Sequence, residues 1–194
     1  MYEQDRTSGH LPPNTSDFSF ISSRALFVTT MGHGGGSLEL FAYTCDPDNA
    51  DPPRHDSPTS SLRHVATLDL PQILPSVRLL SIGTHTGPFL AKCPPDKLFV
   101  ASDEDRIHVL TVQYAHMPTP DVPRTRPRVC IFTHNRMLEG YVREGLERGA
   151  AIKVPWSEWG QRHARMLPHV GIFQWLRWVW GMGLLIDCHL SLGR

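Results

Sequence analysis

One pattern of apolar runs occurs twice in this chain and limits what it can fold into. Each copy is a strand-like run, a turn, a second run, a long loop and a third run, and the Leu-Phe-Val triplet at 26–28 returns at 98–100. The long loops are rich in proline, which cannot donate to a strand ladder, so they should lie outside the strands. The runs are 25–30, 37–44 and 64–71 in the first copy, and 97–102, 106–114 and 128–134 in the second.

Both faces of these predicted strands are apolar. Leu26 and Val28 point one way and Phe27 points the other, whereas a sheet with one wet face would alternate apolar and polar residues. A further apolar run at 77–85 supplies a fourth strand just before the second copy. The pattern predicts a mainly β fold: an incomplete β-propeller-like stack of antiparallel sheets with one short helix, or alternatively a β-sandwich.

This pattern also divides the chain. Residues 1–17 are polar and rich in turn-forming types, which predicts a disordered N-terminus with structure beginning near residue 18. A propeller-like β region is predicted over 18–181, with blade-like units at 25–71 and 77–134. Residues 182–194 form a divergent C-terminal tail.

After the second unit the apolar spacing changes from that of a strand to that of a helix. Apolar residues three and four apart predict a helix over 136–148. Asn135 is the predicted N-cap, and Gly149 is predicted to end the helix.

Two tryptophans follow this helix. Trp156 and Trp159 lie three residues apart around a turn that is predicted to start at Pro155. Because two indole rings bury a large apolar area, the pair is interpreted as an anchor that pins a connection to the core. A ligand-stacking pair is the alternative.

Composition argues against several classes of function. Lys plus Arg and Asp plus Glu are equal at 19 each, so no charge excess points to nucleic acid. The four cysteines form no CxxC pair, and the 11 histidines form no HxH or HExxH pair. The sequence therefore predicts no metal site, no cofactor and no catalytic residues.

The His33-Gly34-Gly35-Gly36 segment is the one motif with a catalytic interpretation. HGGG occurs as an oxyanion-hole loop in some lipases and esterases, so a hydrolase using the His33–Gly36 loop is an alternative function. Such enzymes need a nucleophile in G-x-S-x-G, which the chain does not contain. A hairpin turn between two strands is the favoured interpretation.

The most apolar part of the chain is 170–186, which is near the lower length limit for a membrane helix. Arg177 lies inside it and makes insertion costly, so a membrane-associated protein anchored by 170–186 is a second alternative. The N-terminus lacks a secretory signal, which favours an intracellular location, cytoplasm or nucleus. An unclosed propeller would expose sheet faces, so self-association is also expected.

Six segments follow one another along the chain: DFSFISSRALFVTT (17–30), HVATLDLP (64–71), THTGPF (84–89), RIHVLTVQY (106–114), VPWSEWG (154–160) and FQWLRWVWG (173–181). Together they resemble the region that follows the F-box in fungal F-box proteins. The similarity runs in the same order from Asp17 to about Gly181, and the F-box itself is absent from the residues preceding it. Thr84–Phe89 (THTGPF) and Val154–Gly160 (VPWSEWG) are the most specific pieces.

The resemblance implies a propeller-like, target-recognition region of a ubiquitin-ligase receptor. In such receptors the F-box holds the adaptor and the remainder selects the target protein. The family supplies no catalytic residues. The leading expectation is therefore a non-catalytic protein-interaction module that binds one or more proteins.

Overall fold

The computed structural model describes residues 11–32, 35–45, 60–86, 105–116 and 125–169. Over these residues the fold is mainly β, with 61% of them in strands and two helices. The elements in chain order are β1 (Thr15–Ser22), β2 (Ala25–Gly32), β3 (Gly35–Cys45), β4 (Ser60–Asp69), β5 (Val77–Thr86), β6 (Ile107–His116), β7 (Arg128–His134), α1 (Asn135–Arg148), β8 (Ile152–Val154), α2 (Trp156–His163) and β9 (Ala164–Pro168).

The strands form two sheets. One has five strands in the order β1-β2-β3-β4-β8, and the other has four in the order β5-β6-β7-β9. All neighbouring strands are antiparallel except β4 and β8. The described strands of the predicted unit 25–71 lie in the five-stranded sheet, and those of 77–134 lie in the four-stranded sheet. The mainly β fold with antiparallel sheets is confirmed, and the two sheets are arranged in a sandwich-like way, which was the alternative to the propeller-like stack. The predicted run 97–102 lies outside the described residues.

One apolar core joins the two sheets and the helices. Phe27 and Leu40 from the five-stranded sheet, Leu110 and Ile131 from the four-stranded sheet, and Leu138 from α1 belong to one cluster and are fully buried. Each such side chain contributes roughly 1.5–3 kcal/mol of hydrophobic stabilisation relative to an exposed one. The same residues fix which face of each sheet points inward.

The opposite sheet faces also carry buried apolar residues. Leu26, Val28 and Phe41 form a second cluster on the outer face of the five-stranded sheet, and each is at most 7% exposed. On the four-stranded sheet, Val109 and Cys130 alternate with core residues and are buried as well. The absence of a simple apolar and polar alternation in the sequence reflects this burial on both sides.

The predicted N-terminal boundary is wrong by three residues, because a strand that was assigned to the disordered segment begins at Thr15. Asn14 adopts a left-handed conformation with φ of 62°, which turns the chain into β1. The Thr15 hydroxyl donates to the Pro12 carbonyl at 2.7 Å, and Met31 N–H donates to the Asn14 carbonyl at 3.2 Å. Local hydrogen bonds therefore order a stretch whose composition suggested disorder.

Strand β1 also closes the gap between the two sheets. It is the edge of the five-stranded sheet, and β5 is the edge of the other. Asp17 Oδ2 accepts hydrogen bonds from Thr84 N–H at 2.7 Å and from the Thr84 hydroxyl at 3.0 Å. Ser16 donates to the Ile82 carbonyl at 2.7 Å. We call this row of contacts the β1–β5 seam; it occupies two strand edges that would otherwise be open to pairing with another chain.

We expect Asp17→Ala to lower the free energy of unfolding by about 1–3 kcal/mol, because it leaves Thr84 N–H without its carboxylate acceptor. Chemical denaturation followed by circular dichroism measures the change. Glu147→Ala, at an exposed position on α1, is the control and should change stability by no more than about 0.5 kcal/mol. Equal effects of the two substitutions would show that the seam is not holding the sheets together.

The predicted helix at 136–148 is confirmed as α1 within one residue. Gly149 ends it in a left-handed conformation with φ of 69°, as predicted. Asn135 is not the N-cap, because His134 takes that position and Asn135 is the first helical residue, fully buried.

A second helix, α2, replaces the predicted turn at Pro155. Pro155 is its N-cap residue, and the three-residue spacing places Trp156 and Trp159 on the same side of one helical turn. Trp159 is fully buried and donates from Nε1 to the Asp69 carbonyl at 2.8 Å. The two rings meet edge to face with centroids 4.9 Å apart. This geometry agrees with an anchor to the core.

Candidate functional site

The outer face of the five-stranded sheet changes from aromatic to polar along its rows. Strand register places side chains directly opposite one another on β1, β2, β3 and β4, so each row crosses the whole face. The two central rows are Phe20–Leu26–Phe41–His64 and Phe18–Val28–Glu39–Thr67.

Three exposed aromatic side chains lie on this surface, two on β1 and one on β3. Phe18 is 54% exposed and Phe20 is 44% exposed, and their rings contact edge to face at 5.9 Å. Tyr43, on the same face of β3, is 38% exposed. We call Phe18, Phe20 and Tyr43 the aromatic face; the buried cluster of Leu26, Val28 and Phe41 forms its floor.

A buried polar cluster borders the aromatic face on β3 and β4. Glu39 Oε2 accepts hydrogen bonds from His64 Nε2 at 2.8 Å and from the Thr67 hydroxyl at 2.6 Å, and its Oε1 accepts from Ser37 at 2.7 Å. Burial raises the pKa of Glu39, but these three hydrogen bonds outweigh it, and the net pKa lies below the usual range. Glu39 is therefore a satisfied carboxylate that fixes its neighbours.

The Glu39–His64–Thr67 cluster does not have the geometry of a hydrolytic triad. In a triad the carboxylate contacts one ring nitrogen of the histidine and the hydroxyl contacts the other. Here Glu39 at 2.8 Å and the Thr67 hydroxyl at 3.2 Å both contact Nε2 of His64. Since Nε2 also lies 3.0 Å from the Ala66 carbonyl, it carries the proton and cannot accept one from Thr67.

A second polar cluster lies inside the sandwich and positions β1. Arg106 donates from Nη2 to the carbonyls of Phe20 at 2.7 Å and Ile21 at 2.6 Å. Asn135, on α1, donates to the same Ile21 carbonyl at 2.9 Å. These bonds tie the strand that carries the exposed phenylalanines to the four-stranded sheet and to α1.

His108 completes this inner cluster and is fully buried. Its Nε2 lies 2.7 Å from Asn135 Oδ1, and its Nδ1 lies 3.5 Å from the Ser19 hydroxyl. Burial lowers the pKa of His108 to about 4, and the Arg106 charge adds to that effect while the bond to Asn135 opposes it. The ring is therefore neutral at physiological pH.

The described glycines of the HGGG segment are strand residues. Gly35 pairs with Gly32 and Gly36 pairs with Met31 in the β2–β3 ladder, as a hairpin requires. Gly36 also contacts the core, because a β-carbon there would lie 2.5 Å from Cδ1 of Ile82. His33 and Gly34, the other two residues of the alternative hydrolase loop, lie outside the described residues.

Other reactive groups in the described part of the chain do not converge. No three His, Cys, Asp or Glu side chains there lie close enough to hold a metal ion. Burial raises the pKa of the Cys130 thiol, partly offset by a weak contact with Thr111, which disfavours the reactive thiolate. Among the described helices none is long and apolar enough to cross a membrane, and 170–186 lies outside that part of the chain.

Sequence reasoning did not single out the aromatic face or the inner polar cluster. The alternation of Phe18 and Phe20 with Ser19 and Ile21 was the available signal for a strand with an exposed aromatic side. No pattern of spacing in the sequence predicts that Arg106 and His108 contact Asn135. In comparisons with family models, curated proteins and solved structures, the chain matches none of them.

Proposed function

We propose that this chain is a non-catalytic protein-interaction module, and that it forms the target-recognition part of an F-box-type ubiquitin-ligase receptor. The observation that carries the first part is the exposed Phe18–Phe20 pair, with Tyr43 on the same sheet face. The resemblance of 17–181 to the region that follows the F-box supports the second part.

Aromatic side chains supply much of the binding energy of protein interfaces, because they bury a large area and lose few rotamers. Phe18 and Phe20 are held in place before a partner arrives. Their strand is paired with β2 on one side and joined to β5 through the seam on the other. Little conformational entropy is then lost on binding, which favours affinity.

The seam also selects the mode of binding. A partner that added a strand to β1 would have to displace the Asp17–Thr84 and Ser16–Ile82 contacts. A partner that lies across the aromatic face leaves them intact. We therefore propose contact through side chains on the sheet face, with apolar groups of the partner packed against Phe18 and Phe20.

The double substitution Phe18→Ser with Phe20→Ser should weaken partner binding by at least about 10-fold, because two aromatic contacts are lost. Partners are first identified by placing a photo-crosslinking residue at position 18 and sequencing the captured proteins. Affinity is then measured by titration with the purified partner. Leu74→Ser is the matched control, since Leu74 is 69% exposed but lies in the connection between β4 and β5, outside the strands that form this face.

Binding that survives the double substitution, or is equally weakened by Leu74→Ser, would contradict the proposed surface. The receptor class is tested separately, by fusing an F-box to the N-terminus of the chain. The fusion should shorten the cellular half-life of the captured protein, and the Phe18→Ser/Phe20→Ser fusion should not. An unchanged half-life with intact binding would reject the ligase role while retaining the interaction role.

A further inference from the structure

The inner polar cluster is built around one buried histidine. Asn135 Oδ1 can only accept hydrogen bonds, so the 2.7 Å contact places a proton on Nε2 of neutral His108. The amide orientation is fixed because Asn135 Nδ2 donates to the Ile21 carbonyl at 2.9 Å and to Glu139 Oε1 at 3.0 Å. The unprotonated nitrogen, Nδ1, therefore faces Ser19 on β1.

The surroundings of His108 do not suit a positive charge. Arg106, which immediately precedes β6, already places a guanidinium in the cluster, where it donates to Asn135 Oδ1 at 3.4 Å. The carboxylate of Glu139 accepts a hydrogen bond from the same Asn135 amide whose oxygen contacts His108. The other contacts of the cluster within the described part of the chain are uncharged: Ser19 on β1, Thr86 on β5 through its 2.8 Å bond to Ser19, and the ring of Phe27 on β2 at 5.2 Å.

We propose that this cluster is an acid-sensitive latch, in which protonation of His108 releases β1 from the four-stranded sheet and from α1. Protonation adds a second cation beside Arg106, and the ring's hydrogen bonds within the described residues go to Asn135 and Ser19, not to a carboxylate. Opening of β1 hydrates the imidazolium and removes the cost of burying it. Release of β1 would also displace Phe18 and Phe20, which are carried on that strand.

The sign of the pH effect follows from the lowered pKa of His108, which is about 4 in the closed state and near 6.5 once the ring reaches water. The closed position of β1 is therefore fully stable when the pH is above 6.5, the pKa of the ring in water, and it becomes less stable as the pH falls below that value. The equilibrium for opening β1 should rise about 20-fold between pH 7 and pH 5. The pKa of Glu39 lies below its usual range, so that carboxylate keeps its charge over this interval.

Hydrogen exchange of backbone amides, corrected for the intrinsic pH dependence of exchange, measures the opening of β1 directly. In the full chain, β1 amides should lose protection by about 20-fold from pH 7 to pH 5, and at both pH values they should be less protected than those of β3. His108→Gln keeps a donor for Asn135 but cannot be protonated, so its β1 protection should not depend on pH. If that variant does not fold, the NMR titration of His108 in the native chain replaces it, and an apparent pKa near 6.5 in the closed state would overturn the latch.

Two further outcomes would reject the inference. One is unchanged β1 protection at pH 5, and the other is equal protection of β1 and β3 amides, which would mean that β1 opens only through global unfolding. The exchange measurement does not depend on the proposed function. The expected effect on binding does rest on the proposed function. Partner affinity should fall at pH 5 in the native chain and not in His108→Gln. Loss of β1 protection without loss of binding would leave the latch standing and contradict the aromatic face as the binding surface.

Discussion

Gly145→Ala should lower the free energy of unfolding by about 3 kcal/mol or more, because α1 packs directly on the backbone of β4 at this position. A β-carbon at residue 145 would overlap the carbonyl group of Val65, and both residues are buried. A backbone carbonyl in the middle of a sheet cannot rotate away as a side chain could. The helix would have to move off the sheet and loosen the core around Leu138 and Val142.

Gly140→Ala is the matched control on the same helix. A β-carbon there meets nothing within 4 Å, so the substitution gains the better helix propensity of alanine without a clash. It should raise the free energy of unfolding by up to about 1 kcal/mol. Urea denaturation followed by circular dichroism compares both variants with the native chain. Stabilisation by both substitutions would show that the helix does not approach β4 this closely.

Trp159→Ala should lower the free energy of unfolding by about 3–5 kcal/mol, since it removes a fully buried indole from the core and leaves a cavity. It also deprives the Asp69 carbonyl of its 2.8 Å hydrogen bond from Nε1. Trp159→Phe keeps most of the apolar volume and loses that bond, so we expect a smaller cost of about 1–3 kcal/mol. Thermal and chemical unfolding of the two variants separate the packing contribution from the hydrogen bond.

Trp156→Ala provides the comparison for this site. Trp156 lies on the same helix and packs edge to face against the Trp159 ring, but it is only half-buried. Its loss should destabilise the chain by roughly half as much as the loss of Trp159, because less apolar area returns to water. If Trp156→Ala proved the more damaging of the two, the anchor would be the outer ring and not the buried one.

Strands with long apolar runs could be predicted from the sequence. The predicted boundaries of β7 agree with the structure, and those of α1 agree within one residue, since their periodicity is strong and their ends are marked. The shorter elements could not be found in this way. β8 has three residues, and β9 is mostly exposed and ends at Pro168, so neither shows a periodic pattern.

The polar residues were harder to interpret because their partners are distant in sequence. Asp17 is separated from Thr84 by 67 residues, and Asn135 from Ile21 by 114. Local rules assign Asn135 to a helix cap and Asp17 to a polar terminus. Both assignments fail because the tertiary fold gives these side chains buried or half-buried partners that no local pattern encodes.

The placement of β8 and β9 has a consequence for synthesis of the protein. β8 is the edge strand opposite β1 in one sheet, and β9 is the edge strand opposite β5 in the other. Both belong to the short stretch from residue 152 to residue 168. A chain emerging from the ribosome cannot finish either layer until this stretch has left the exit tunnel. The two sheets are therefore completed together once residue 168 has emerged, although each could begin pairing earlier.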